Sequence, residues 1–252
     1  MSERYLLSTQ GLTKEFKGFV AVNDVSLRVR EGTIHALIGP NGAGKTTFFN
    51  LLTKFLEPSA GQIIYNDTNI TGMRPAHIAR LGVVRSFQIS AVFPHLTAIE
   101  NVRVALQRKD GDSFDFWRSD HILTRLDGEA RSLLDAVGLA HRAGDIAAQL
   151  PYGQKRALEL ATTLALNPRL MLLDEPTAGM ASADIDRMIG LIRRVSDNRT
   201  IVMVEHNLNV VAALAQMVTV LSAGSVLAEG DYESIAKNPS VIAAYIGVKR
   251  DH

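Results

Sequence analysis

One eight-residue stretch of this sequence contains the residue types that hold a polyphosphate. Residues 39–46 read Gly-Pro-Asn-Gly-Ala-Gly-Lys-Thr, which fits the pattern G-x-x-x-x-G-K-[ST]. Its three glycines allow successive backbone N–H groups to turn inwards towards phosphate oxygens. Lys45 adds a positive charge for the terminal phosphates, and the hydroxyl of Thr46 suits Mg²⁺. The stretch therefore predicts a nucleoside triphosphate site, although a glycine-rich turn with a coincidental Lys-Thr pair would read the same.

Four polar residues elsewhere in the chain directly follow apolar runs that predict buried strands. They are Gln88, Asp174, Glu175 and His206. Because the carboxyl ends of parallel strands share one edge of a sheet, we expect these side chains beside the phosphate-binding loop. There Asp174 could ligate Mg²⁺, and Glu175 could deprotonate a water that attacks the γ-phosphate. The alternatives are a solvated turn for the two carboxylates and a structural role for the histidine.

The elements that must position these residues are a strand before the phosphate-binding loop and a helix after it. Residues 33–38 predict the strand and residues 46–55 the helix. Other apolar runs predict strands over 6–9, 20–30, 62–65, 83–87, 170–174 and 200–204, and a hairpin over 218–229. Helical spacing and capping signals predict helices over 75–81, 97–107, 126–138, 155–166, 185–192 and 232–247. Strands that alternate with helices indicate an α/β fold with a mostly parallel sheet.

The composition excludes several classes of protein. The 252 residues include 46% hydrophobic side chains, carry a net charge of +1 and contain no cysteine. A sizeable core is therefore expected, whereas a disulfide framework and a thiolate metal site are excluded. The near-neutral charge gives no reason to expect nucleic acid as a partner.

No stretch of the sequence predicts a signal peptide or a membrane-spanning helix. Residues 1–10 lack a long apolar core, and the apolar stretch 201–221 is interrupted by charged and amide side chains. We therefore expect a cytoplasmic chain whose association with a membrane depends on a partner.

Two phenylalanines precede the phosphate-binding loop, in the predicted link between the first two strands. An aromatic ring upstream of such a loop could stack on a nucleotide base. Phe16 is the better candidate for this platform and Phe19 the weaker one. Packing in the core is the alternative for both rings.

Taken together, these motifs resemble those of ATP-binding cassette (ABC) ATPases in order and spacing. The matching segments are GPNGAGKT (39–46), Gln88, LPYGQ (150–154), LMLLDEPT (170–177) and His206. The resemblance covers nearly the whole chain. It implies an α/β P-loop NTPase fold with a RecA-like core, a small antiparallel β subdomain and a helical subdomain. It also implies one nucleotide-binding domain over 1–252, with the helical subdomain inserted at 89–153.

The resemblance implies a role for each matching residue. Catalysis is expected from Glu175 as the general base, from His206 as a switch on the γ-phosphate, and from Gln88 as a sensor of Mg²⁺ and water. The expected cofactors are ATP and Mg²⁺, with adenine stacked on Phe16 and the metal held by Thr46, Gln88 and Asp174. The phosphates are expected to contact Gly39, Asn41, Gly42, Ala43, Gly44, Lys45, Thr46 and Thr47. The signature segment is expected to bind the ATP of a neighbouring subunit through Tyr152, Gly153 and Gln154.

The resemblance further implies a head-to-tail dimer, since one chain carries one phosphate-binding loop and one signature segment. The second ATPase subunit would be an identical chain or a paralogue. The segments SFQISAVFPHLTAIENV (86–102) and LAEGDYESIAKNPSVIAAYIG (227–247) resemble those of branched-chain amino acid importer ATPases. Such ATPases work on the inner face of the cell membrane with transmembrane permease subunits and, indirectly, a periplasmic solute-binding protein. We expect the permease to dock near residues 88–93.

Two positions depart from the usual ABC pattern. The signature is commonly Leu-Ser-Gly-Gly-Gln, whereas Pro151 and Tyr152 stand at its second and third positions here. Proline has neither a hydroxyl nor a backbone N–H to give to a phosphate, so we expect fewer donors in this segment. Ala181 stands where an aspartate is common, which removes a carboxylate from the expected coupling between subunits.

Three other functions fit parts of the pattern. An exporter or lipid-extracting ABC ATPase would share the same motifs, and so would a soluble regulatory or DNA-acting ABC protein. The span between residues 46 and 174 is too short for a long coiled coil, which argues against a DNA-acting member. A small P-loop kinase would share only the phosphate-binding loop, since it has no use for the signature segment or for His206.

Overall fold

The chain folds into two compact units. The computed structural model describes residues 4–86, 92–110, 126–197 and 199–247. The first unit combines residues 1–83, 169–175 and 196–252, and the second combines residues 84–168 and 176–195. Gln88, which belongs to the predicted site, lies outside the described residues.

The strands lie mostly in the first unit. In chain order they are β1 (Tyr5–Phe16), β2 (Phe19–Arg30), β3 (Ile34–Ile38), β4 (Ala60–Tyr65), β5 (Thr68–Asn69), β6 (Val83–Ser86), β7 (Leu170–Asp174), β8 (Thr200–Val204), β9 (Met217–Ser222) and β10 (Ser225–Gly230). Within the first unit, one sheet has the order β2-β1-β4-β5 and is antiparallel, and a second has the order β10-β9-β3-β8-β7.

The second sheet carries the parallel strands that the sequence predicts. β3 pairs in parallel with β8 and β9, and β7 pairs in parallel with β8, while β10 pairs with β9 as an antiparallel hairpin. Every residue of β3, β7 and β8 is buried. Parallel strands that are covered on both faces require such continuous apolar runs, which explains why these strands were recognisable in the sequence.

The helices divide between the two units. In chain order they are α1 (Lys45–Leu52), α2 (Pro75–Arg80), α3 (Ala98–Asp110), α4 (Asp127–Ala136), α5 (Tyr152–Ala165), α6 (Ser182–Val195), α7 (Leu208–Leu214), α8 (Tyr232–Lys237) and α9 (Pro239–Gly247). The core of the first unit includes Phe48 and Phe49 of α1, which are both fully buried. Among the described residues, no helix is both long and apolar enough to cross a membrane.

Differences between the predicted and the observed helices have identifiable local causes at three places. The predicted helix 232–247 is two helices, because Asn238 is extended and Pro239 starts the second helix. α5 begins at Tyr152 rather than at Lys155, with extended Pro151 as its N-cap residue. α7 was not predicted. Its N-cap residue is Asn207, whose side chain accepts a hydrogen bond from the N–H of Asn209 at 3.0 Å.

The second unit is built on α3, α4 and α5, which pack against one another. α3 starts with the predicted capping box, since the N–H of Thr97 donates to Glu100 Oε2 at 2.7 Å and the N–H of Glu100 donates to Thr97 Oγ1 at 3.3 Å. One turn later, the buried amide of Asn101 accepts from the N–H of Phe93 at 2.6 Å and donates to its carbonyl at 3.1 Å. This double contact fixes the backbone that enters α3.

A buried histidine connects three strands of the second sheet, β3, β9 and β10, in the first unit. His35 Nε2 lies 2.8 Å from Thr219 Oγ1, and that hydroxyl donates to Glu229 Oε2 at 2.7 Å. Because the single hydroxyl proton of Thr219 goes to the carboxylate, His35 must donate from Nε2. Burial lowers the pKa of His35 to about 4, so the imidazole is neutral at neutral pH.

Candidate active site

The phosphate-binding loop links β3 to α1 in the conformation that its glycines permit. Gly39 and Gly44 have φ angles of 149° and 95°, which L side chains rarely adopt. A Cβ atom at Gly39 would lie 2.2 Å from the carbonyl oxygen of Leu221, and one at Gly44 would lie 2.4 Å from that of Ala21. Both glycines are therefore required by backbone conformation and by close approach of neighbouring strands.

Lys45 lies across this loop. Its ammonium donates to the carbonyl oxygens of Gly39 at 2.7 Å and Pro40 at 2.8 Å, and the residue is buried. Burial lowers the pKa of Lys45, while the negative charges of Glu175 and Asp174 act in the opposite direction. The charge of the ammonium therefore interacts with the two carboxylates at the end of β7, Asp174 and Glu175, as the shared sheet edge predicts.

The other loop residues differ in how far they are open to solvent. Asn41, Gly42 and Thr46 are exposed, Thr47 is half-buried and Ala43 is buried. The N–H of Ala43 donates to the carbonyl of Pro40 at 3.2 Å, and its carbonyl accepts from the N–H of Gly224 at 3.2 Å. This second hydrogen bond joins the phosphate-binding loop to the turn between β9 and β10.

Glu175 leaves β7 in a strained conformation. Its φ angle is 51°, in the left-handed region that non-glycine residues seldom occupy. Its N–H donates to the carbonyl of Val204 at 2.9 Å, which holds the residue against the end of β8. Strain of this kind persists where the surrounding structure imposes it, and it is concentrated at functional sites.

His206 meets Glu175 at the ends of β7 and β8. His206 Nε2 lies 2.5 Å from Glu175 Oε1, and both side chains remain partly open to solvent, at 45% and 41% exposure. The buried carboxylate of Glu205 accepts from the N–H groups of His206 at 2.9 Å and Asn207 at 3.1 Å, which fixes the backbone that carries the imidazole. Glu205 was not predicted as a site residue; its position between a buried strand and the histidine was the available signal.

The oxygen donors near the loop suit a magnesium ion bound together with phosphates. Among the described residues, no group of three or more His, Cys, Asp or Glu side chains forms a metal cage. Mg²⁺ commonly takes only one or two protein oxygens and completes its shell with phosphate oxygens and water. Thr46 offers a hydroxyl at the start of α1, and Asp174 offers a carboxylate whose charge reaches Lys45.

Phe16 ends β1 at a tight hairpin. It pairs with Phe19 across Lys17 and Gly18, which both have positive φ angles, as a two-residue turn of this kind requires. The ring of Phe16 is 41% exposed, with the Lys14 ammonium 5.1 Å from its centroid. The ring is accessible for stacking, and its contact with adenine stays a prediction.

The signature segment forms the first turn of α5, in the second unit. No side chain caps this helix end, and the first N–H groups of a helix have no partner within the helix. Gly153 faces the carboxylate of Asp184, so that a Cβ atom there would lie 2.9 Å from the Asp184 Cγ. The buried Oε1 atom of Gln154 has no hydrogen-bond partner among the described residues.

One contact of the phosphate-binding loop was not predicted from the sequence. Tyr245 of α9, in the first unit, is half-buried and forms a hydrogen bond with the backbone of Gly39. Burial raises the pKa of Tyr245, and this hydrogen bond partly offsets the rise. A lone tyrosine in an amphipathic tail carries no sequence signal for such a contact.

Two family models match different parts of the chain. A family model described as "ABC transporter" matches residues 22–178. A second model, described as "Branched-chain amino acid ATP-binding cassette transporter", matches residues 225–251. The second match includes α8 and α9, and therefore Tyr245.

Individual relatives cover almost the whole chain. The high-affinity branched-chain amino acid transport ATP-binding protein BraF of Pseudomonas aeruginosa is 39% identical over 254 residues, which span 97% of this chain and 98% of that protein. The crystal structure of the ADP conformation of MJ1267, an ATP-binding cassette of an ABC transporter, has a TM-score of 0.84 at 26% identity, covering 97% and 99% of the two chains. The dimeric structure of MJ0796, a bacterial ABC transporter cassette, has a TM-score of 0.74 at 25% identity, covering 90% and 98%. These similarities confirm the family resemblance and the fold class predicted from the motifs.

Proposed function

Since this chain belongs to the ABC transporter family, we propose that it is the ATP-hydrolysing subunit of an importer for branched-chain amino acids or related solutes. The observation that carries the proposal is the pairing of Glu175 with His206, at the sheet edge where the charges of Asp174 and Glu175 act on Lys45. A relative that is 39% identical over 97% of the chain is named as a branched-chain amino acid transport ATP-binding protein, which supports the class of solute.

Each side chain in this site has a separate role in the hydrolysis of ATP. The phosphate-binding loop and Lys45 hold the β- and γ-phosphates, and Glu175 takes the proton of the attacking water. In the structure the imidazole of His206 is hydrogen-bonded to Glu175. When the γ-phosphate arrives, His206 turns its N–H to a phosphate oxygen, and this exchange leaves the carboxylate of Glu175 free to accept the proton of the water.

Thr46 and Asp174 would hold Mg²⁺, with Gln88 as the further ligand that the motif implies. The bound ion supplies charge neutralisation for the terminal phosphates. Asp174 is well placed for this role because it is nearly buried and its charge already acts on Lys45.

A second ATPase subunit, identical or a paralogue, completes each nucleotide site. The signature segment forms the first turn of α5. Its N–H groups and the positive end of the helix dipole bind the phosphates of the partner's ATP. ATP favours the closed dimer because its γ-phosphate contacts both subunits, and hydrolysis removes that contact. The dimeric form of a cassette with the same fold supports this arrangement.

The membrane permease docks near residues 88–93, so that the chain acts on the cytoplasmic face of the membrane. Phe93 supports this assignment because its side chain is 51% exposed while Asn101 fixes its backbone by two hydrogen bonds. We expect Phe93→Asp to abolish transport and leave the ATPase fold intact. Phe55→Asp is the matched control, since Phe55 is 67% exposed in the first unit. Transport that continues in a fully assembled Phe93→Asp complex would exclude docking there.

The proposal is tested by purifying the tagged chain from membranes and reconstituting the proteins that come with it. We expect permease subunits to co-purify, and the reconstituted vesicles to take up leucine only with ATP. Lys45→Ala should abolish this uptake, whereas Lys237→Ala, at an exposed position, should not. Recovery of no membrane protein, or uptake that survives Lys45→Ala, would overturn the proposal.

A further inference from the structure

The hydroxyl group of Tyr152 joins two segments of the second unit. It donates a hydrogen bond to the carbonyl oxygen of Ala178 at 2.9 Å. It accepts hydrogen bonds from Arg156 Nη2 at 2.9 Å and Arg156 Nε at 3.1 Å. The first turn of α5 is thereby linked to residues 176–181, which follow Glu175 in the chain and are here named the post-Glu175 loop.

These contacts use every hydrogen-bonding position of the tyrosine hydroxyl. A hydroxyl has one proton to donate, and Ala178 receives it, while the two N–H groups of Arg156 occupy its acceptor positions. Tyr152 therefore has no side-chain proton to give to a phosphate, unlike the serine that is common in the signature segment. Its side chain holds the post-Glu175 loop instead.

A buried ion pair fixes this tyrosine from the side of α5. Arg156 Nη1 donates to Glu159 Oε2 at 2.9 Å, and Glu159 is buried. Burial of Arg156 opposes its charge, but the hydrogen bond and charge of Glu159 outweigh this effect and raise the pKa of the guanidinium. The guanidinium also lies over the Tyr152 ring, 5.3 Å from its centroid. Carboxylate, guanidinium and hydroxyl thus form one continuous chain that ends on the loop.

The post-Glu175 loop is shaped to receive this hydroxyl. Gly179 has a φ angle of 73°, and a Cβ atom there would lie 3.4 Å from the Tyr152 hydroxyl oxygen. The glycine lets the loop pass close to the ring. Tyr152 is 47% exposed, and an aromatic ring with this exposure would be free to reorient without its hydrogen bonds. The contacts of its hydroxyl with Ala178 and Arg156 hold the ring in place.

We propose that Tyr152 is a positioning residue that couples the two nucleotide sites of the dimer by fixing the post-Glu175 loop to the signature segment. The inference rests on the proposed function, in which the signature segment binds the partner's ATP and Glu175 acts on the chain's own ATP. Binding of a phosphate at the first turn of α5 is transmitted through Tyr152 to the residues that follow Glu175.

The test is Tyr152→Phe in the complex purified through the tagged chain, with ATP hydrolysis measured over a range of ATP concentrations. The substitution keeps the ring and removes the three hydroxyl hydrogen bonds. We expect kcat to fall about tenfold and the Hill coefficient for ATP to fall towards 1. The dissociation constant of a fluorescent ATP analogue should stay within about twofold, because the phosphate-binding loop is untouched. Amide hydrogen exchange should accelerate in residues 177–181.

Tyr65→Phe is the matched control. The hydroxyl of Tyr65 also donates to a backbone carbonyl, that of Leu81 at 3.1 Å, but it belongs to the first unit, whereas both segments joined by Tyr152 belong to the second. This control should keep the Hill coefficient and kcat of the wild type. Arg156→Lys, which removes the planar fork of donors to Tyr152, should reproduce the fall in cooperativity in weaker form.

An unchanged Hill coefficient and kcat in Tyr152→Phe would overturn the proposal, and so would a loss of kcat that Tyr65→Phe shows equally. Hydrogen exchange in the loop that matches the wild type would also overturn it. Failure of the proposed function is distinguishable, because the wild-type complex itself would then lack ATP hydrolysis that depends on Glu175.

Discussion

At the scale of single residues, we propose that Glu175 is the group that accepts the proton of the attacking water. The residue is strained, partly exposed and hydrogen-bonded to His206, and its charge reaches Lys45. A buried structural carboxylate would be saturated by fixed donors, as Glu205 is by two backbone N–H groups. The carboxylate of Glu175 is instead partly exposed and hydrogen-bonded to the partly exposed imidazole of His206, which suits a general base.

Replacement of Glu175 by glutamine tests this role. Glutamine keeps the shape and can still bond to His206, but it cannot accept the proton of water at neutral pH. We expect kcat for ATP hydrolysis to fall by roughly 10²–10⁴-fold, with the affinity for ATP retained. Glu229→Gln is the control, because that carboxylate is exposed and bonds only to Thr219 in the described contacts. A Glu175→Gln chain with near-normal turnover would remove Glu175 from the base role.

His35 makes the stability of the fold depend on pH. Its folded pKa is about 4, against 6.5 for the unfolded chain, so the unfolded state binds more protons between these values. The stabilisation from neutral His35 is complete above pH 6.5 and is lost as the pH falls towards 4, by about 3 kcal/mol in total. Denaturant unfolding at several pH values should show this dependence.

Carboxylates titrate in the same pH range and also change the free energy of unfolding. The contribution of His35 is therefore measured by comparing the wild type with variants. His35→Gln should be less stable at pH 7.5 and should have a flatter pH dependence than the wild type. His77→Gln, at an exposed position, should follow the wild type. Parallel pH profiles for the wild type and His35→Gln would contradict the predicted linkage.

At the scale of elements, the loop between β3 and α1 depends on glycines that neighbouring strands approach closely. Gly44→Ala would place a methyl group 2.4 Å from the carbonyl oxygen of Ala21 and force an alanine to a φ angle of 95°. We expect the free energy of unfolding to fall by about 1–3 kcal/mol and ATP binding to be lost. Calorimetric titration and thermal unfolding measure these two effects.

Gly72→Ala is the matched control for this substitution. No atom lies within 4 Å of a Cβ atom built at Gly72, and its φ angle is ordinary for an L residue. This variant should bind ATP normally and keep the stability of the wild type. Normal ATP binding by Gly44→Ala would contradict the prediction, because it would show that the loop can shift away from Ala21 without losing its binding conformation.

The last helix, α9, supports the phosphate-binding loop through Tyr245. Tyr245→Phe removes the hydrogen bond to the backbone of Gly39 and leaves the ring packed. We expect the affinity for Mg-ATP to fall roughly 3–10-fold, the value of one hydrogen bond. Tyr232→Phe at the start of α8 is the control and should bind as the wild type does. Equal affinities in all three chains would show that α9 does not support the loop.

The elements also show which features a sequence can predict. β3, β7 and β8 were predicted within about one residue because buried parallel strands need unbroken apolar runs. The phosphate-binding loop was predictable because its backbone requires glycines at fixed positions. The early start of α5 was not, since Tyr152 and Gly153 read as turn residues and only Pro151 marks the helix end. Contacts such as Tyr245 with Gly39, and Tyr152 with Ala178, depend on packing between distant segments and leave no periodic pattern.

At the scale of the whole molecule, the residues predicted to bind or hydrolyse the nucleotide are divided between the two units. The phosphate-binding loop, Asp174, Glu175 and His206 belong to the first unit, and the signature segment belongs to the second. One chain has one phosphate-binding loop and one signature segment, and we propose on that basis that two chains together form two complete sites. In the proposed dimer, the hydrogen bond from Tyr152 to Ala178 would connect the signature segment, which binds the partner's ATP, to the loop that follows Glu175.

The most direct test is the structure of the Glu175→Gln chain bound to Mg-ATP. We predict that the γ-phosphate lies within hydrogen-bond distance of both Lys45 Nζ and the His206 ring, with the first turn of α5 from another subunit on its open side. A triphosphate bound out of reach of Lys45 or of His206 would contradict the assignment of this sheet edge as the site of ATP hydrolysis.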